Sequence, residues 1–193
     1  MTSMTRTTAP RARWPGQTNR VRHLNGASQP ARALEPRMIA PFKPGQNIDA
    51  YLERMSQAST SQLIELERRG VPHAFVAALS QRMAVPLPRM QELMRISRAT
   101  AARKRSDENS LIGGAAGTAA TAIVKLMGMA QRIVNQSTSP EARGFDVRKW
   151  FGAWIDLPQP ALDGKKPADL LDTPSGIEAV ARVLGALESG AYQ

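Results

Sequence analysis

Val147, Trp150, Phe151, Trp154 and Ile155 recur at i, i+3, i+4, i+7 and i+8. Large apolar side chains at that spacing share one face of an α-helix, and such a face has to be covered by another element. Behind it, Leu157-Pro-Gln-Pro-Ala-Leu-Asp-Gly164 spells a proline-fixed turn, and Pro167–Leu171 is long enough for one helical turn. Thr173-Pro174 pairs a capping side chain with proline at the first helical position, where the missing N–H costs nothing. The closing helix then carries Ile177, Val180, Ala181, Leu184 and Leu187 on one face. Ser189-Gly190 is expected to end it and to leave Ala191-Tyr192-Gln193 projecting.

The upstream sequence carries the same punctuation. Tyr51, Leu52 and Met55 line one side of a short helix that begins near Ile48. Ser59 and Gln62 have the spacing of a capping box, followed by an apolar face of Leu63, Ile64 and Leu66. Gly70 should end that helix and Pro72 open the next, which places Phe75, Ala78, Leu79 and Met83 inward. After Pro86-Leu-Pro88, residues 89–96 form about two turns with Met90, Leu93 and Met94 buried, and Ser97 caps a further helix. Residues 111–135 read as a long connecting helix with Ile123, Leu126, Met127, Ala130, Ile133 and Val134 in a stripe. Its small residues Ala119, Ala120 and Ala122 would let another helix approach closely, and a dimer interface is one use for them. The expected fold is therefore all-α.

The chain has 193 residues and no cysteine, which excludes a disulfide framework, a thiolate metal site and a cysteine nucleophile, and fits a reducing cytoplasm. Only His23 and His73 could supply imidazole. The carboxylates Asp163, Asp169 and Asp172 are close in sequence, but turns and caps explain them better than a cation site. No metal, cofactor or catalytic constellation is expected, and no apolar run is long enough for a membrane span.

Charge is unevenly placed. Residues 1–45 hold eight Lys/Arg against Glu35, whereas residues 150–193 hold six acids against Lys165, Lys166 and Arg182. Residues 82–105 hold seven cations against Glu92. A basic front and an acidic rear suggest a polyanion at one end and a different partner at the other, although a solvated surface would look the same. The proline-rich segment 1–45 cannot bury enough surface to offset its ordering entropy and is expected to be a disordered basic arm. Met38 or Met55 as the true start is the other reading.

The segment Arg98-Ala-Thr-Ala-Ala-Arg-Lys-Arg105 has almost no core-forming side chains and ends in three cations. Ala and Thr permit close approach to a major groove, and Arg reaches guanine edges or phosphates. Residues 89–105 thus fit a helix-turn-helix with 97–105 as recognition helix, and Arg89, Ser97, Arg98, Thr100, Arg103, Lys104 and Arg105 as candidate DNA contacts. An exposed helix of an ordinary bundle is the alternative.

The C-terminal residues carry a resemblance. Phe145-Asp146, Trp150, Trp154, Pro158, Pro160, Leu162, Gly164, Pro167, Leu170-Leu-Asp-Thr173, Gly176 and Ser189-Gly-Ala-Tyr192 look like the toxin-binding domain of Xre/MbcA/ParS-type antitoxins. Residues 93–105 are similar to that family's degenerate helix-turn-helix. The resemblance implies a RES-type, NAD-consuming toxin as partner, docked by Leu187, Ser189, Gly190, Ala191, Tyr192 and Gln193. It also implies binding to the operon's own promoter DNA as a homodimer within a hetero-oligomer. The apolar face around Trp150, Trp154 and Leu162 is either internal core or part of the docking surface, and aromatics at helical spacing favour core for Trp150. The organisation that follows is a basic arm (1–45), a helix-turn-helix domain (46–110), a connecting or dimerising helix and loop (111–144), and a toxin-binding domain (145–193). A stand-alone transcriptional regulator with a C-terminal dimerisation domain is the competing reading.

Overall fold

The computed structural model describes residues 38–104, 107 and 109–188, with residues 187 and 188 described as backbone only. Eight α-helices are present among them. They are α1 (Ile48–Ser56), α2 (Thr60–Arg69), α3 (His73–Arg82), α4 (Leu87–Leu93), α5 (Arg98–Lys104), α6 (Ala115–Gln136), α7 (Val147–Trp154) and α8 (Pro174–Glu188). The all-α expectation holds, with one addition. Val71–Pro72 (β1) and Leu111–Ile112 (β2) pair antiparallel, joining the entrance of α3 to the approach of α6.

Helix ends follow the local chemistry. Ser59 accepts from the Gln62 amide while the Gln62 side chain accepts from the Ser59 amide, the reciprocal box its spacing predicts. Gly70 closes α2 with φ 86°. A side chain there would strike the backbone, because a Cβ would lie 2.1 Å from the Ile112 carbonyl oxygen. Thr173 Oγ1 accepts from the Gly176 amide at 3.1 Å, and Pro174 is the first residue of α8.

One hydrophobic core runs from Phe42 to Leu184, with α6 at its centre and α1, α2, α7 and α8 packed on it. Ala119, Ala120 and Ala122 are buried, and Gly117 lies so close to α2 that a Cβ would meet the Glu67 carbonyl at 2.4 Å. The helix that packs against these small residues is therefore α2 of the same chain.

Two expectations are corrected by packing. Residues 38–45 were expected in the arm, yet Phe42 is only 2% exposed and sits edge-on to Tyr51 at 5.2 Å and Phe75 at 6.0 Å. An aromatic cluster rewards order in a segment whose composition reads as disordered. Ile64, assigned to the inner face of α2, is 40% exposed, because Leu63 and Leu66 point to α6 and leave it outside the buried arc. Residues 1–37 of the arm lie outside the described residues.

Candidate functional site

The C-terminal module begins with Asp146, whose carboxylate accepts from the Lys149 amide and caps α7. The aromatic stripe divides into two roles. Phe151 and Ile155 are fully buried, and Trp154 is 6% exposed. Trp150, expected in the core, is instead half-buried and stacks on Trp154 with ring centroids 5.6 Å apart. It packs against the edge of the core and leaves one side of its ring beside the last turns of α6. Phe145, 41% exposed, leans on Trp150 at 6.1 Å.

The proline-flanked turn has a defined job. Pro160–Leu162 and Pro167–Leu170 are 3-10 turns, and the loop around the first is closed by the Gln159 amide donating to Lys165 O and the Gly164 amide donating to Gln159 O. Leu162, Pro167 and Ala168 are buried, and the Ala168 amide donates to Ile155 O at 2.9 Å, fixing the turn to α7. Asp163 and Gly164 both take positive φ, the conformations that reverse the chain there. Pro158 is exposed, and Leu170 is half-buried. Gly176 is buried under Leu170, whose carbonyl would lie 2.1 Å from a Cβ. These residues position α8. Leu187 is described only as helical backbone, and Ser189, Gly190, Ala191, Tyr192 and Gln193 lie outside the described residues.

The basic segment forms two short helices joined by a turn. Ala101 anchors α5 to the core, and Ser97 caps it by accepting from the Thr100 amide at 3.1 Å. Arg98, Ala99, Ala102 and Arg103 are exposed, while Thr100 and Lys104 are half-buried. Arg105 lies outside the described residues. Arg89 is oriented otherwise. Its guanidinium binds Asp156, with Nε 3.2 Å from Oδ2, and Glu92 at 3.1 Å. The Asp156 carboxylate raises its pKa further, so Arg89 stays charged and directed at the C-terminal module. We therefore remove it from the candidate DNA contacts.

Arg89 is one of three such links, none of them evident in the sequence. Arg82 reaches Asp146 at 2.8 Å and Asp49 at 2.8 Å, Arg148 also reaches Asp49, and Arg95 reaches Asp172 at 3.0 Å. Three of the seven cations in residues 82–105 thus face carboxylates of the C-terminal module. Part of the basic-front, acidic-rear asymmetry is internal complementarity. Alternating charge blocks gave the signal, but their pairing depends on the fold. Asp163 and Asp172, weighed as cation ligands, serve a turn and an ion pair, and no cluster of three metal-ligating side chains occurs among the described residues. No helix among them is long and apolar enough to cross a membrane.

Residues 145–190 match the antitoxin Xre/MbcA/ParS C-terminal toxin-binding domain, as their resemblance implied. Over 70 residues the chain is 41% identical to the Prs ADP-ribosylating antitoxin of Sphingobium sp. (strain YBL2). That alignment covers 36% of this chain and 43% of the relative, so the chain spans less than half the length of that protein.

Proposed function

We propose that this protein is an antitoxin that binds and neutralises an NAD-consuming toxin of the RES type. The observation that carries the reading is the match of residues 145–190 to a toxin-binding domain. The relative's name couples an antitoxin to ADP-ribosylation, a reaction for which NAD is the donor, and so supports a toxin of that chemistry. Turn, cap and helix α8 form a rigid base from which the chain continues to Tyr192 and its neighbours. An aromatic side chain at the end of a helix suits a narrow cleft, and covering the toxin's active site with Ser189–Gln193 is the proposed mode of inhibition. Co-expression with a RES-type toxin tests this. Wild-type chain should restore growth and co-purify with the toxin. A chain lacking Gly190–Gln193 should lose the neutralisation, and full protection by that truncated chain would overturn the occlusion mechanism.

The same protein is proposed to repress its own operon through α4, the turn and α5, as a homodimer within the toxin complex. The exposed Arg98 and Arg103, with small Ala99 and Ala102 between them, support close approach to a duplex. Changing both arginines to alanine should weaken binding to the chain's own promoter fragment and lower its salt dependence by about two charges' worth. Unchanged affinity with an unchanged salt slope would move the contact elsewhere. The competing reading, a stand-alone regulator, requires tight promoter binding and no toxin interaction.

A further inference from the structure

Beside α8 the surface opens into a dry cleft of about 230 Å3, lined by Ala130, Ile133, Val134, Phe145, Trp150 and Leu184. Every lining residue is apolar. Four elements build it: the last turns of α6, the loop into α7, α7 itself through Trp150, and the core-facing side of α8 through the buried Leu184. Two neighbouring depressions share lining residues with it. One shares Val134 and Phe145 with it and carries Arg143, while the other shares Ile133 and carries Arg132. Among the described residues no carboxylate lines any of the three. Neither arginine has an ion-pair partner among the described residues, in contrast to Arg82, Arg89 and Arg95. The core explains Phe151 and Trp154, but leaves Phe145 and Trp150 presenting aromatic surface to solvent.

We infer that this cleft is a second anchor for the toxin, separate from the C-terminal end. Its occupant is a large apolar side chain on the toxin surface flanked by carboxylates. The inference rests on the proposed antitoxin role. Two observations select the occupant. Half of the residues lining the cleft, Phe145, Trp150 and Leu184, belong to the segment that matches a toxin-binding domain, and the depressions beside it carry Arg143 and Arg132, with one carboxylate near them, Glu141, bound by the Ser139 hydroxyl. A hydrophobic slot with a charged border supplies affinity at the centre and orientation at the edge, the arrangement of a binding hot spot. Phe145 and Trp150 add rigid aromatic walls whose ordering cost on binding is low. An anchor here holds the toxin while the chain beyond α8 reaches its cleft, so the two contacts reinforce each other through effective concentration.

The full chain is titrated against a RES-type toxin by calorimetry, at low and at high salt. Phe145→Ala and Arg143→Glu should each weaken the complex by about ten-fold or more, as loss of a hot-spot contact does. Phe145→Leu, which keeps an apolar wall, should retain most of the affinity. Phe145 and Arg143 are exposed, so unchanged unfolding temperatures are expected for these variants. The Arg143→Glu effect should shrink in high salt, where exposed charges are screened. A wild-type complex that neither Phe145→Ala nor Arg143→Glu weakens overturns the cleft while leaving the antitoxin reading intact. Failure of the wild-type chain to bind the toxin at all overturns both. A wild-type dimer that Phe145→Ala converts to monomer, with toxin affinity unchanged, assigns the cleft to a second copy and overturns the inference. So does a change in Trp150 fluorescence when residues 189–193 are removed from the free chain, which makes the chain's own end the occupant.

Discussion

Arg95 and Asp172 meet at 3.0 Å, joining the turn between α4 and α5 to the residue just before the Thr173 cap of α8. Arg95 does so from the left-handed region, at φ 55°, where a side chain is disfavoured and glycine is at ease. The turn of the proposed DNA-binding unit and the start of the proposed docking helix are thus tied by one ion pair.

Separate substitutions resolve the two effects at that position. Arg95→Gly and Arg95→Ala both remove the ion pair, but only alanine retains the backbone strain. Glycine should therefore be the more stable of the two by about 1 kcal/mol in urea unfolding. Asp172→Asn reads the ion pair alone and should cost about 1 kcal/mol or less, because both side chains are half exposed. Equal stability of the glycine and alanine variants would remove the strain argument.

Acid should loosen the attachment of α7. Arg82 is the main cause holding the Asp146 carboxyl below its ordinary pKa of 3.8. A carboxylate with a depressed folded-state pKa adds stability above its unfolded value, and that stability is lost as pH falls through the folded value. Stability should therefore decline as pH drops below the ordinary aspartate range. In Asp146→Asn this part of the decline should be absent. Asparagine still caps α7, so the comparison isolates the ion pair from the cap. Unfolding curves collected from pH 6 to pH 2 on both proteins provide the check, and parallel profiles would refute the assignment.

Gly152 should tolerate no side chain. A Cβ there would lie 2.1 Å from the Met83 carbonyl oxygen, so α7 rests directly on the backbone that follows α3. Alanine is the better helix former by about 1 kcal/mol. Overpacking against backbone costs about 1–3 kcal/mol and occasionally more. Gly152→Ala should thus be destabilising in thermal unfolding despite the propensity gain, and a stabilised variant would show that the two elements are not in contact.

The aromatic stripe should split energetically as it splits in space. Phe151→Ala should cost about 3–5 kcal/mol, the range for removing a buried aromatic ring. Trp150→Ala should cost clearly less, since one side of that ring already faces solvent. Chemical denaturation of the two variants compares them directly. Equal losses would return Trp150 to the core and close the cleft.

The local sequence by itself determined several helix ends, but not the start of α4, at Leu87 inside the Pro86-Leu-Pro88 break, or of α6, at Ala115 behind the Leu111–Ile112 strand. The Ser59–Gln62 box, Gly70, the Ser97 cap and Thr173-Pro174 are all where their chemistry predicts, because capping is settled among residues three or four apart. The same locality made the motif from Phe145 to Tyr192 recognisable, since its turns depend on proline and glycine at fixed offsets. Tertiary structure decided everything that needs a second element. Phe42 reads as part of a disordered arm until Tyr51 and Phe75 are brought beside it. Trp150 and Phe151 are neighbours on one helical face, and only the packing of the other helices buries one completely and leaves the other half-buried. Arg89 and Arg98 look alike in a basic run, but Asp156, 67 residues away, holds the first and leaves the second on the surface. Such pairings are invisible in the chain because a charge or a ring carries no local mark of its partner, and burial is a property of the whole packing.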